Sequence, residues 1–241
     1  MRILITNDDG IQAPQLIPLV QWAQKLGQVM VAAPKVEQSG KSHGIEIHKS
    51  FEVKKVDLLP GVEAYAVDST PADCVRFAVL GLQEQFDLVI SGINRGLNVG
   101  LDIMYSGTVA AIIEAAALGI KGVAFSTTPS FYDHAVDHLD RVWAYVEGHK
   151  LLEKHGHFNI NIPNRAGEIR ITRQGGRYYS DDFLPQEKDM WQPMGKSVYE
   201  KAEDYDVDTD AVLTGGFISI TPMTIERTEL PVFEALRTLN P

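Results

Sequence analysis

Asn7-Asp8-Asp9-Gly10 sets two carboxylates side by side directly after a short apolar run, Ile3-Leu4-Ile5. Adjacent carboxylates repel and lose hydration unless a cation or a proton compensates them. At the carboxyl end of a parallel strand, where α/β proteins bind ligands, such a pair is half of a metal site. The same four residues also spell an ordinary turn. Two more polar clusters follow apolar runs: Pro34-Lys35-Val36-Glu37-Gln38-Ser39-Gly40-Lys41-Ser42, and Ser91-Gly92-Ile93-Asn94-Arg95-Gly96-Leu97-Asn98-Val99-Gly100. Parallel strands bring their carboxyl ends to one edge, so the three clusters converge, and convergence favours the site over the turn. Carboxylate, hydroxyl and carboxamide are hard oxygen donors, suited to Mg²⁺, Mn²⁺ or Ca²⁺. Successive side chains of a regular strand point to opposite faces, so Asp8 and Asp9 reach one centre only where the strand has ended; Gly10 permits that turn.

Tyr105-Ser106-Gly107-Thr108 leads into the helical run 109–118. Ser106 or Thr108 can cap this helix, and its free N–H groups and dipole can bind an anion such as phosphate. Several tempting motifs fail. Ser39-Gly40-Lys41-Ser42 resembles the end of a P-loop, but Lys35 stands where the first glycine belongs. Gly92, Gly96 and Gly100 are spaced by four, which is not the dinucleotide pattern, and His134 and His138 lack an H-E-x-x-H context. His43 reads as a loop residue. Asp181-Asp182 and the acidic run 204–210 read as solvated surface. Arg95 can either approach a phosphate or form a surface ion pair.

The elements that must position these clusters alternate in type. Strands are expected at 2–6, 29–33, 64–67, 87–91, 122–126, 158–162 and 217–221, and helices at 13–26, 71–82, 108–118, 131–154 and 230–239. Strand–helix alternation with nearly continuous apolar strands indicates a parallel sheet covered on both faces: an α/β fold with a Rossmann-like, three-layer α/β/α core. Residues 169–173 and 177–179 flanking Gln174-Gly175-Gly176 read as a β-hairpin, and 183–205 as polar and irregular. A projecting hairpin arm and a terminal helix are therefore expected on a single domain spanning 1–241, with the core over about 1–165 and the arm and C-terminal region over about 166–241. An exposed β-arm is poorly stable alone, so it is expected to pack on another subunit.

The 241 residues carry a net charge of −10, which disfavours an extended nucleic-acid surface. The one cysteine, Cys74, lies in an apolar run; it forms no intrachain disulfide and fits a reducing compartment. No leader or membrane span is visible; Glu114 and Lys121 interrupt the longest apolar stretch. A cytoplasmic location is expected.

These residues, in this order, resemble the SurE family of nucleotidases across nearly the whole chain. Beyond the clusters above, the likeness rests on Thr70-Pro71-Ala72-Asp73-Cys74-Val75, Tyr105 through Ala111, Asn161-Ile162-Pro163, Asp208-Thr209-Asp210 and Ile218-Ser219-Ile220-Thr221-Pro222. The chain departs from the family at Asp68-Ser69, where glycine is common before Thr-Pro, and around Ser197-Val198-Tyr199-Glu200. The resemblance implies a metal-dependent phosphomonoesterase for nucleoside 5′- and 3′-monophosphates, a family of which some members also trim short polyphosphate. It implies one Mg²⁺ or Mn²⁺ per subunit held by Asp8, Asp9, Ser39 and Asn94, with Asp9 and Asp8 catalytic. It implies substrate contacts from Asn98, Ser106, Gly107 and Thr108, and a homodimer or homotetramer built through the arm. Two other readings compete: a phospho-receiver module, which also carries an acidic pair after its first strand, and a nucleotide-binding protein without turnover.

Overall fold

A computed structural model describes residues 1–239. The apolar runs form a nine-stranded sheet in the order β3-β4-β2-β1-β5-β6-β7-β11-β8. Its strands are β1 (Arg2–Thr6), β2 (Gln28–Pro34), β3 (Val53–Lys55), β4 (Glu63–Val67), β5 (Leu88–Arg95), β6 (Lys121–Thr127), β7 (His157–Ile162), β8 (Ile169–Ile171) and β11 (Ile218–Pro222). β1 lies parallel to both β2 and β5, and β5, β6 and β7 continue in parallel; β3 on β4 and β11 on β7 are antiparallel. Both faces of the sheet are buried, as the unbroken apolar strands require. Ile3 and Ile5 pack on one face with α1 (Leu16–Ala23) and α4 (Leu139–Gly148). Leu4 packs on the other with α2 (Pro71–Arg76), and with α3 (Gly107–Ala117) through Ala111 and Ala115. This is the expected three-layer α/β core.

The chain leaves β1 toward α1 on one face, whereas β5 leads on to α3 on the other. A crevice must open where neighbouring strands send their connections to opposite faces, and α/β sheets bind ligands there. The first and third polar clusters therefore meet at this point.

Four expectations need correction. Residues 131–154 do not form one helix: a 3₁₀ stretch (Pro129–His138) runs into α4, and Lys150, left-handed at φ 53°, separates α4 from α5 (Leu151–Lys154). The expected helix 71–82 ends its α-helical part at Arg76 and continues as a wider turn to Gly81. The hairpin is displaced. Ile169–Ile171 joins the main sheet beside β11, and the true hairpin is β9 (Tyr179–Pro185) with β10 (Trp191–Ser197), inside the stretch expected to be irregular. Finally, the acidic run 204–210 is not all surface. Asp208 and Asp210 are buried at the start of α6 (Asp208–Leu213). Asp208 accepts the N–H groups of Gly100 and Gly175, and Asp210 those of Ala202 and Asp204. Such charge-assisted bonds to backbone N–H groups are what permit a carboxylate to be buried.

The arm and the terminal helix α7 (Leu230–Leu236) project as expected. β9 and β10 pair only with each other among the described strands. Phe183, Leu184, Trp191 and Met194 remain exposed on the arm, and no residue of α7 is buried.

Candidate functional site

Asn7 fixes the turn after β1. Its Nδ2 donates to Gly10 O and its Oδ1 accepts the Gly10 N–H, both at 3.0 Å, while Gly10 adopts φ +98°. Ile11 N–H donates to Pro34 O and Gln38 N–H to Asp8 O, each at 2.7 Å, which ties the second cluster to the first. With the strand ended, the two carboxylates diverge. Asp8 is buried against the start of α3, where Thr108 Oγ1 donates to its Oδ1 at 2.5 Å. A side chain at Gly107 would stand 3.0 Å from Asp8 Cβ, so glycine is what permits α3 to press so close. Asp9 turns the other way: its Oδ2 accepts the Arg95 N–H at 3.1 Å and the Tyr132 hydroxyl at 3.4 Å.

Burial raises the pKa of Asp8, against the donation from Thr108. Burial, with the Asp8 charge added, pushes Asp9 up to about 6. Among the described residues no lysine, arginine or histidine side chain forms an ion pair with either acid. The pair is thus an uncompensated negative centre in a crevice.

Ser39 is exposed at the mouth, and its Oγ donates to Glu37 Oε1 at 2.7 Å. Asp9, Glu37, Ser39, Arg95 and Tyr132 share a cavity of about 520 Å³, whose lining includes neither Asp8 nor Asn94. Asn94 is half-buried near the end of β5, where a register shift between Ser91 and Asn94 bends the strand. Its Nδ2 donates to Gly96 O at 2.9 Å, leaving the carbonyl oxygen to offer a ligand.

Ser106 caps α3, its Oγ accepting the Val109 N–H at 3.1 Å. Asn98 is a buried anchor. Its N–H donates to Asn161 Oδ1 and its Nδ2 to Ser126 Oγ, and its carbonyl accepts from Asn159 and Asn161. It binds the third cluster to the ends of β6 and β7, a role the sequence did not suggest. Arg95 forms no ion pair among the described residues: its backbone N–H holds Asp9, and its guanidinium lies 5.9 Å from the Tyr132 ring centre. His43 is more than a loop residue, since its Nε2 lies 2.7 Å from Glu114 Oε2, and Arg76 donates to the other oxygen at 3.0 Å. The hydrogen bonds from His43 and Arg76 lower the pKa of Glu114. Glu37 and Tyr132 were missed in the sequence. Glu37 stood inside the second cluster and was legible there; Tyr132 comes from a segment with no distinguishing pattern.

The sequence profile described as "Survival protein SurE" matches residues 3–181. "5'-nucleotidase SurE" of Thermoanaerobacter sp. (strain X514) is 38% identical, covering 98% of this chain and 97% of its own length. "5'-nucleotidase SurE" of Alkaliphilus metalliredigens (strain QYMF) is 36% identical over 100% of this chain and 99% of its own. The crystal structure of the SurE protein from Aquifex aeolicus superposes with a TM-score of 0.77 at 30% identity, covering 100% of both chains. With the acidic pair at the strand switch, the capped start of α3 and these full-length likenesses together, the chain belongs to the SurE family.

Proposed function

We propose that this protein is a divalent-metal-dependent 5′-nucleotidase that releases phosphate from nucleoside 5′- and 3′-monophosphates, and that it accepts short polyphosphate. The observation that carries the chemistry is the pair Asp8 and Asp9 at the strand switch, one buried and one half-buried at a cavity, with no basic side chain paired to either among the described residues. The donor set fits a hard ion such as Mg²⁺ or Mn²⁺. Ser39 and Asn94, the positions the family resemblance implies as further ligands, would complete the set with neutral oxygens.

When bound, the ion polarises a phosphoryl oxygen and lowers the pKa of water. The protein's own groups do the rest. Thr108 holds Asp8 in one orientation, and Arg95 N–H and Tyr132 hold Asp9. Asp9, at the cavity, takes a proton from the water whose oxygen bonds to phosphorus, while the bond from phosphorus to the ester oxygen breaks and the departing nucleoside oxygen takes a proton from solvent. The start of α3, with Ser106, Gly107 and Thr108, offers N–H and O–H donors to the phosphoryl oxygens as charge builds on them. Asn98 anchors the third cluster to β6 and β7 beside this segment. Trapping of phosphate covalently on Asp9 would replace the water attack by a nucleophilic one.

Leu184 and Met194 of the arm, on the face opposite Phe183, together with α7, support a homodimer or homotetramer with a second copy covering them. The single buried cysteine supports a reducing compartment, the cytoplasm; among the described residues no helix is long and apolar enough to cross a membrane.

The test is phosphate release from a panel of nucleoside monophosphates with Mg²⁺, with Mn²⁺ and with EDTA. Release with either metal and loss in EDTA are expected. Binding without turnover in Mn²⁺ would return the protein to the nucleotide-binding reading, and a stable acyl phosphate after acetyl phosphate treatment would return it to the receiver reading. A second outcome concerns packing. A Cβ at position 107 would meet Asp8 Cβ at 3.0 Å and Pro71 Cγ at 3.1 Å. Gly107→Ala should therefore shift the Asp8 carboxylate and lower kcat by about 10- to 100-fold, the usual cost of disturbing a metal ligand's support. Activity within twofold of wild type would show that Asp8 tolerates the shift.

A further inference from the structure

A second cavity, of about 770 Å³, lies between the arm and the segment that leads into α3. One wall is the 3₁₀ turn Gly100–Tyr105, which presents Leu101, Met104 and Tyr105. The other is the inner face of β9. Tyr179, Asp181 and Phe183 alternate along that strand and so share a face, and Pro193 stands opposite Phe183 in the hairpin register. Tyr105, Tyr179 and Phe183 are 57%, 43% and 58% exposed. Aromatic side chains usually lie buried in a core or an interface, and three left open around one cavity form a surface for a flat apolar ligand. Asp102, Asp181 and Arg177 supply polar groups at its edge.

The cavity adjoins the proposed centre at two points, each one peptide bond away. Gly40 on its rim follows Ser39, and Tyr105 precedes Ser106. A phosphomonoester held at the start of α3 therefore has this cavity within reach of its organic part. The cavity beside Asp9 is a poorer match. Its lining includes Asp9, Glu37 and Asp133, and the ring of its aromatic, Tyr132, faces the Arg95 guanidinium. The two walls of the larger cavity are also fixed to each other. Asp208 bridges the N–H groups of Gly100 and Gly175, Leu101 N–H donates to Gly176 O at 3.0 Å, and Gln174 Nε2 donates to Gly100 O at 2.8 Å.

We infer that this cavity seats the nucleobase of the substrate, stacked among Tyr105 of the core and Tyr179 and Phe183 of the arm. The arm then has a role in choosing substrates as well as in assembly. The inference rests on the nucleotidase reading and adds to it the surface that separates nucleotides from other phosphomonoesters.

Adenosine 5′-monophosphate and ribose 5-phosphate share a phosphoester and a sugar and differ by the base. Their kcat/KM values would be compared in wild type, Tyr105→Ala and Phe183→Ala, with sedimentation confirming the same assembly in all three. Wild type is expected to prefer the nucleotide. Each variant is expected to lower the nucleotide-to-ribose-phosphate ratio about tenfold through a higher nucleotide KM, the size of one lost base–aromatic stack. An unchanged ratio in both variants, with both substrates still hydrolysed, overturns the base pocket and leaves the nucleotidase reading standing. A wild-type protein that releases phosphate from neither substrate rejects that reading, and this inference with it.

Discussion

Asp9→Asn is expected to lower kcat for nucleoside monophosphates by about 10³-fold, on the order of 4 kcal/mol of transition-state stabilisation. The variant keeps the size and the hydrogen-bond acceptor that meets Arg95 N–H and Tyr132, so its fold should be intact. It loses the charge that would hold a cation and the base that would take a proton. Excess Mn²⁺ should not restore the rate; a variant rescued to wild-type turnover by metal would confine Asp9 to ion binding. Stability should move in the opposite direction. With a folded-state pKa of about 6 against an ordinary 3.8, Asp9 keeps a proton in the folded protein that the unfolded chain has already released between about pH 4 and 6. The stability of EDTA-treated wild type should therefore fall as pH rises through that window and level off above it. The buried Asp8, also raised, contributes with the same sign. At pH 7 the metal-free Asp9→Asn protein should be the more stable by on the order of 2 kcal/mol. Denaturant unfolding at pH 4 and pH 7 measures this, and a wild-type stability that rises with pH would contradict it.

Gly100→Ala is expected to destabilise the fold strongly. Gly100 has φ +59°, and a Cβ there would stand 2.2 Å from Gly176 O and 3.0 Å from Thr209 Cγ2. Relief requires the chain at Gly176 to move, which breaks the Leu101-to-Gly176 bond and strains those to Asp208 and Gln174. Backbone strain together with lost buried hydrogen bonds should cost about 3 kcal/mol, or roughly 10 °C in Tm for a chain of this size. Gly176→Ala is the matched control. Nothing lies within 4 Å of a Cβ at that position, so its Tm should stay within about 2 °C of wild type. Equal melting of the two variants would remove the contact at Gly100 as the cause.

The core and much of the candidate site were legible because their signals are local. Asn7 through Gly10 carries its own turn chemistry, Ser106 is a cap readable from type and position, and unbroken apolar strands announce a covered parallel sheet. The misreadings came where long-range packing decides. Gly175-Gly176 looks like a hairpin turn, yet a Cβ at Gly175 would stand 2.5 Å from Thr209 Oγ1. The glycine there serves a close crossing of two backbone segments, the other use of glycine beside a strand. Asp208 and Asp210 look like solvated charge because composition records the carboxylate and not the N–H groups that converge on it from residues 100, 175, 202 and 204. Tyr132 reaches Asp9 across 123 positions of sequence, and no local pattern encodes such a meeting.

The place of β11 between β7 and β8 also sets an order of birth. As the chain emerges from the ribosome, β1, β2, β4, β5, β6 and β7 can assemble from the nascent N-terminal portion alone. β8 cannot join them. Its neighbour in the sheet is β11, and Thr172 meets its partner Thr221 only after 49 more positions have been made. During that interval β7 is an open edge and the arm hangs free. An open edge accepts any β11 that arrives, including one from a neighbouring nascent chain on the same message. The sheet therefore closes last at this edge, and a chain halted before residue 218 would leave β7 as an unpaired strand.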